Sequence, residues 1–459
     1  MSLVGVPAPV MQRIMGSNEH ARVKGPAQVG EVLPPGHGSE LPMLLVAALL
    51  AGGLAGILGS AFRLALAKAD ELRGAIIHWS RAIPGWGWSI PIALAVLGAA
   101  IARWLVVLFA EDASGSGVPQ VEGIVRVGGQ FHSRFVIPVK FFGGLAAIGS
   151  GLALGREGPT VQMGSAAAEW IGRLFRMPAP EARVLSAAGA GAGLATAFGA
   201  PLGGAVFVLE ELTQRFHIRV AIASFTASGM AIALLYRLLG TKPELALPDL
   251  STPSPLDLAV YLGLGVLLGV LGIAYNWLVL AGLDAGQRFA IPSGLRAMAV
   301  GAVVGLLAWY EPQLVGGGED FLRRLLHDGI GTSFLVFALA VRFVLGPLSY
   351  SAGTPGGLFA PLLLVGAMVG QVYGTLVHGV VPAAAPDPAD LAVVGMAAFF
   401  AATVRAPITG AVLIVEMTGV ANLFVPLLIA ISGALLVPTM LDNEPIYDAL
   451  RARQPGRGP

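Results

Sequence analysis

The chain has 459 residues, 55% of them hydrophobic and 12% charged, with a net charge of +1 and a mean hydropathy of +0.77. Soluble domains carry about 25% charged residues, so this composition excludes an ordinary water-soluble fold and makes lipid the solvent. The near-zero net charge gives no sign of nucleic-acid partners, and the lack of Cys excludes disulfides and thiolate metal sites.

Residues 1–40 are polar, carry Pro and Gly, and do not read as a signal peptide. Arg13, Arg22 and Lys24 precede the first apolar span, which predicts a cytoplasmic N-terminus. Apolar stretches long enough to cross about 30 Å of hydrocarbon then recur. They include Leu41–Ala67, Ser89–Ala110, Ile218–Leu239, Leu256–Leu283, Ile330–Tyr350 and Gly356–Val377. Gly makes up 63 of the residues, about twice the usual share, which predicts close-packed and partly broken helices. The His residues (His20, His37, His78, His132, His217, His327, His378) include no pair at metal-ligand spacing.

Between the spans lie short motifs. Gly115-Ser116-Gly117-Val118-Pro119 offers a hydroxyl just before a Pro-initiated helix, and a structural N-cap is the plain reading of Ser116. Glu122 and Lys140 follow, and an ion pair between them that lowers the cost of burial is preferred to any transport role. Gly155-Arg156-Glu157-Gly158-Pro159 stands in a run with no other charge from Phe141 to Ala168. A carboxylate in such surroundings is a functional-site hypothesis by default. Its setting at a helix start, where free N–H groups face outward, also makes an anion site. Gly357-Leu358-Phe359-Ala360-Pro361 is a second such start, and three Gly-rich helix N-termini together suit one desolvated anion.

The sequence repeats itself at an offset of about 200 residues. Gly189–Glu210 aligns without gaps to Gly395–Glu416, sharing Ala-Pro, then Gly-Ala-Val, then the final Glu. Upstream, Gly155 and Pro159 match Gly357 and Pro361, Lys140-Phe141 matches Arg342-Phe343, and Gly115-Ser116-Gly117 matches Gly316-Gly317-Gly318. This predicts a transporter-type duplication with binding where interrupted helices meet near the midplane. The expected organisation is a cytoplasmic segment 1–40, a first transmembrane repeat 41–245, a second 246–440, and a final helix end with short tail 441–459. Parallel or inverted order is not decided by the sequence. Glu210 has a counterpart in Glu416 and reads as structural. Glu211 has none; it is either interfacial or a proton carrier. Tyr447, after Pro445, is ordinarily an interfacial anchor. No HExxH, G-x-S-x-G or Walker motif is present, so no enzyme is indicated.

These motifs, over residues from about 40 to 450, resemble the CLC family of chloride channels and proton-coupled chloride transporters. GSGVP resembles the family's GSGIP, GREGP is identical to the family form, GGLFAP contains GxFxP, and the last helix supplies a Tyr. The resemblance implies an all-α polytopic fold of two inverted repeats of tilted, partly broken helices, assembled as a homodimer in the cell (inner) membrane with both termini cytoplasmic. It places Ser116, Tyr447 and the amides of Leu358 and Phe359 around chloride, with Gly117 and Gly158 beside them. Glu157 resembles the external gating glutamate and Glu211 the internal proton glutamate. Ser116, where nitrate-selective members carry Pro, favours chloride; the GREGP form is unlike the fluoride exporters. Glu211 favours an exchanger over a channel, and the lack of CBS domains suggests a prokaryotic member. Gln120 stands where many relatives have Glu.

The function implied is Cl⁻/H⁺ exchange without a cofactor. Ionised, Glu157 is a tethered anion in the anion path; protonated, it loses its attraction to the helix N-termini and swings away. Glu211 passes protons toward the cytoplasm by a route separate from chloride. A passive chloride channel of the same fold is the alternative within the family, and a structural or receptor membrane protein the alternative outside it.

Overall fold

The structure, a computed structural model, describes residues 40–241, 243, 245–247, 257–380 and 386–453. The expected cytoplasmic segment (but for Glu40), the tail after 453 and the start of the expected second repeat at 248–256 lie outside the described residues. In chain order the first helices are α1 (Leu41–Arg81), α2 (Ser89–Phe109), α3 (Val118–Val127), α4 (Val136–Gly149), α5 (Glu157–Leu174), α6 (Ala179–Phe198), α7 (Pro201–Phe207) and α8 (Ile218–Leu239). There follow α9 (Asp257–Arg288), α10 (Ser293–Tyr310), α11 (Glu319–His327), α12 (Thr332–Ser351), α13 (Phe359–Val380), α14 (Pro388–Val404), α15 (Pro407–Thr418), α16 (Phe424–Met440) and α17 (Ile446–Ala452). No strand occurs among the described residues, only isolated bridges pairing Gly115 with Pro355 and Gly155 with Gly357.

Among the described residues seven helices, α1, α2, α8, α9, α10, α12 and α13, are long and apolar enough to cross a membrane. Six match the predicted spans. The seventh, Ser293–Tyr310, has the weakest hydropathy of the set, 1.4, because Arg296 and several glycines dilute it. At 41 residues, α1 is about 61 Å long and must tilt or project beyond a core of about 30 Å. By contrast α3 has 10 residues, about 15 Å, and crosses half of such a core. Its N-terminal end, Ser116–Pro119, is tolerable at membrane depth because it is buried in protein.

Small residues set the packing, and they do so twice. In α1, Gly52 and Gly56 lie against the backbone of Ala227 and Ala231 in α8; in α9, Gly265 and Gly269 lie against Ala430 and Ala434 in α16. In α5 and α6, Gly164 and Gly189 press on each other's carbonyls, as Gly366 and Gly395 do in α13 and α14. Each contact lets helix backbones approach without an intervening side chain, the main attraction available between helices in lipid.

The duplication is inverted. At the end of the α7 run, Glu210 accepts hydrogen bonds from Ile408 N (2.9 Å) and Thr409 N (2.6 Å) at the start of α15. At the end of α15, Glu416 accepts from Leu202 N (3.0 Å) and Gly203 N (2.7 Å) at the start of α7. Corresponding helices therefore lie side by side in opposite directions, each capped by the other's carboxylate.

Candidate functional site

Gly155 and Gly357, equivalent in the repeat, bond to each other. Gly155 N donates to Gly357 O (2.9 Å) and Gly357 N to Gly155 O (2.7 Å), while Gly356 N donates to Gly115 O (3.1 Å). These bonds draw the N-terminal ends of α3, α5 and α13 to one place in the protein interior. Only glycine allows the approach: a Cβ on Gly158 would stand 2.5 Å from Ser116 O and 2.8 Å from Ser116 Oγ. Gly117 carries φ +90° as the N-cap of α3, and a Cβ there would meet the Gln162 side chain.

Glu157 is the first residue of α5 and is fully buried. Its Oε1 accepts a 2.7 Å hydrogen bond from Phe359 N, the first amide of α13. The carboxylate thus sits at the positive end of the opposite helix, where an anion is favoured. Oε2 is buried and meets no hydrogen-bond partner. Leu358, one residue before Phe359, is fully buried too.

Ser116 and Tyr447 are likewise buried. Neither hydroxyl meets a hydrogen-bond partner. The N-cap reading of Ser116 does not hold, since the cap of α3 is Gly117 and no side chain bonds it. Nor is Tyr447 an interfacial anchor. Its ring stacks on Phe359, centroids 6.0 Å apart, and Phe359 packs in turn on Phe198, Phe207 and Phe400. Buried hydroxyls normally find partners, so two without one beside a carboxylate mark a polar site within an apolar wall. Tyr350, which no motif in the sequence marks, also belongs here: Ser116 N donates to its hydroxyl at 3.3 Å.

The expected Glu122–Lys140 ion pair is absent. Lys140 lies in a π turn, Val139–Gly143, and its Nζ donates to Gly115 O at 2.7 Å. Its repeat counterpart Arg342 does the same on the other side, donating to Gly316 O (2.8 Å) and Gly317 O (2.9 Å). Both cations hold carbonyls of the loop that leads into a glycine-rich helix start. Glu122 instead pairs with Arg126 (2.7 Å) and Arg451 (2.7 Å), and Arg451 also holds Asp448 (2.8 Å). The i,i+4 spacing of Glu122 with Arg126 and the i,i+3 spacing of Asp448 with Arg451 were legible signals for this cluster.

Glu211 is 4% exposed and sits in a π turn, Val208–Leu212, that continues α7. Arg126 fastens this turn by donating to the carbonyls of Glu211 and Leu212. One guanidinium thereby ties the turn of Glu211 to α3, the helix that follows Ser116. Glu211 borders a cavity of about 320 Å³ with Glu210, Arg215, Arg405, Pro445 and Asp448.

Two larger cavities flank the centre. One, about 710 Å³, has Gly115 and Tyr350 in its wall and opens past Arg103, Gln120 and His132. The other, about 890 Å³, is bordered by Arg156, Gly317, Gly318 and Glu319. The first lies toward the start of α1, because α2 runs back from the far end of α1 and its last turn borders this cavity. The cavity of Glu211 opens on that same side, where Arg219 at the start of α8 approaches Glu40 within 3.9 Å. The two share no bordering residue.

Residues 98–439 match the family described as voltage gated chloride channel. The chain is 36% identical over 420 residues to the H(+)/Cl(-) exchange transporter ClcA of Vibrio cholerae, covering 89% of each protein. Among solved structures it resembles a slow cyanobacterial Cl⁻/H⁺ antiporter with a TM-score of 0.85 and 32% identity, covering 90% of this chain and 98% of the other. It also resembles a eukaryotic CLC transporter with a TM-score of 0.76 and 27% identity, covering 90% of this chain and 74% of the other. With its paired glycine-rich helix starts and inverted halves, the chain belongs to the voltage gated chloride channel family.

Proposed function

We propose that this protein exchanges Cl⁻ for H⁺ across the cell (inner) membrane, as a homodimer with both termini cytoplasmic and no cofactor. The observation that carries the reading is the position of Glu157. Its carboxylate takes the first amide of α13, while the buried hydroxyls of Ser116 and Tyr447 stand by without partners of good geometry. A carboxylate and a chloride ion would compete for such amides, since both are anions drawn to helix N-termini.

Ionised, Glu157 blocks the path. When it takes up a proton its attraction to Phe359 N falls, the side chain leaves, and chloride occupies the amides. Ser116, Tyr447 and the amides of Leu358 and Phe359 replace the lost hydration of the ion, with Gly117 and Gly158 allowing the close approach. Glu211, beside its own cavity, passes the proton toward the side where α1 begins. The separate borders of the two cavities support separate routes for the two ions.

Reconstituted vesicles test this. A chloride gradient should drive H⁺ uphill, whereas a channel would move chloride alone. Glu211→Gln should spare chloride flux and stop H⁺ movement; coupling unchanged in that variant would remove Glu211 from the scheme.

A further inference from the structure

Exchange needs a proton step between Glu157 and the side away from the start of α1. Glu157 is fully buried, so bulk water does not reach its carboxylate. The 890 Å³ cavity belongs to that side, with Arg73 and Ile77, near the far end of α1, and Leu239, at the end of α8, in its wall. A small cavity of about 20 Å³, room for a water molecule, adjoins it and shares Arg156, Gly318, Glu319 and Arg323 as borders. The small cavity reaches Ala360, the residue after Phe359, whose amide holds Glu157. Among the described residues, Glu319 is the one acid that borders both cavities.

Glu319 opens α11. Its side chain is 30% exposed and lies 3.9 Å from Arg156 Nε, beyond hydrogen-bond range. The carboxylate is therefore wetted and not locked to its cation. Arg156 immediately precedes Glu157 and is itself fixed by donating from Nε to Ala197 O at 3.0 Å. In the other half of the repeat the position of Glu319 is held by Val118, so only one of the two equivalent helix starts carries an acid there. The other charges around the cavity have their own contacts. On α1, Asp70 pairs with Arg73, Glu71 pairs with Lys68, and Arg63 donates to Thr196 O. Arg342 is spent on the carbonyls of Gly316 and Gly317, while Asp320, Arg323 and Arg324 stand on α11 itself.

We propose that Glu319 is the proton relay between Glu157 and the side away from the start of α1. Protonated from water in the large cavity, it gives its proton by way of the small cavity to the Glu157 carboxylate. Glu319 is then ionised and Glu157 neutral, and the reverse transfer discharges Glu157. Carboxyl groups at membrane depth serve proton relays in this way. The proposal rests on the reading that Glu157 carries protons during exchange.

The test measures chloride flux and chloride-driven H⁺ movement in proteoliposomes for the original protein, Glu319→Gln, Glu157→Gln and the double variant. Glu319→Gln should slow the movement of both ions about tenfold or more, as loss of a positioned proton donor does, and Glu319→Asp should keep part of the rate. A high concentration of a membrane-impermeant buffer such as MES should speed Glu319→Gln and leave the original protein as it is. Glu157→Gln has no proton to receive, so adding Glu319→Gln to it should change chloride flux by less than about twofold. Slowing of equal size in both backgrounds, or slowing that buffer does not relieve, would mean that Glu319 merely holds Arg156 or α11 and would overturn the proposal. If the original protein drives no H⁺, or Glu157→Gln still does, the reading of Glu157 falls. Unslowed exchange in Glu319→Gln, with Glu157→Gln uncoupled, overturns the relay alone.

Discussion

At the scale of single residues, the carboxylate of Glu157 faces a backbone amide, with the buried hydroxyls of Ser116 and Tyr447 nearby. Glu157 and Phe359 hold equivalent positions in the two halves, and the carboxylate of one accepts the backbone amide of the other. Tyr447 offers a buried hydroxyl and a ring locked on Phe359. Tyr447→Phe keeps the ring and removes one donor, so chloride binding measured calorimetrically should weaken about tenfold, the worth of one hydrogen bond to a charged group. Lys140 gives a contrasting case. Were it the partner of Glu122, Lys140→Met would strand a buried carboxylate at about 3–5 kcal/mol. Because Glu122 keeps Arg126 and Arg451, the expected cost is only that of the bond to Gly115 O, about 1.5–3 kcal/mol. Thermal unfolding in detergent checks this, with Glu122→Gln as the companion variant.

At the scale of elements, the helices come in pairs that cap and clasp one another. The carboxylates of Glu210 and Glu416 each bind two amides at the start of the other's helix. Glu210→Gln and Glu416→Gln should therefore destabilise by similar amounts, about 1–2 kcal/mol each. A silent variant at one of the two positions would contradict the equivalence. Much of this level was legible in the sequence. Four motif blocks in the same order, about 200 residues apart, announced the duplication, and six apolar runs placed their helices, because lipid demands long uninterrupted apolarity. The inverted order was not legible, since direction is a property of packing and leaves no trace in a one-dimensional match. Nor was the second partner of Glu122: beyond Arg126 at i+4, Arg451 lies 329 residues away, and no local pattern joins them. Lys140 misled for the same reason, its acceptor being a backbone carbonyl that carries no sequence signal.

At the scale of the whole molecule, the centre formed by Ser116, Glu157 and Tyr447 lies between large cavities bordered by opposite ends of the helix pairs. A third cavity borders Glu211 apart from these. An exchanger needs such a layout: one point where both ions meet, and distinct ways from it. The cluster of Glu122, Arg126, Asp448 and Arg451 joins the Ser116 helix, the Tyr447 helix and the Glu211 turn. Arg126→Gln should loosen that junction and lower the number of protons moved per chloride, read in the same vesicles as chloride flux. The central claim is that Glu157 is gate and proton acceptor at once, and Glu157→Gln tests it most directly in vesicles carrying a chloride gradient. Chloride should flow at a rate indifferent to pH with no proton uptake, and continued uphill proton movement by that variant would contradict the account.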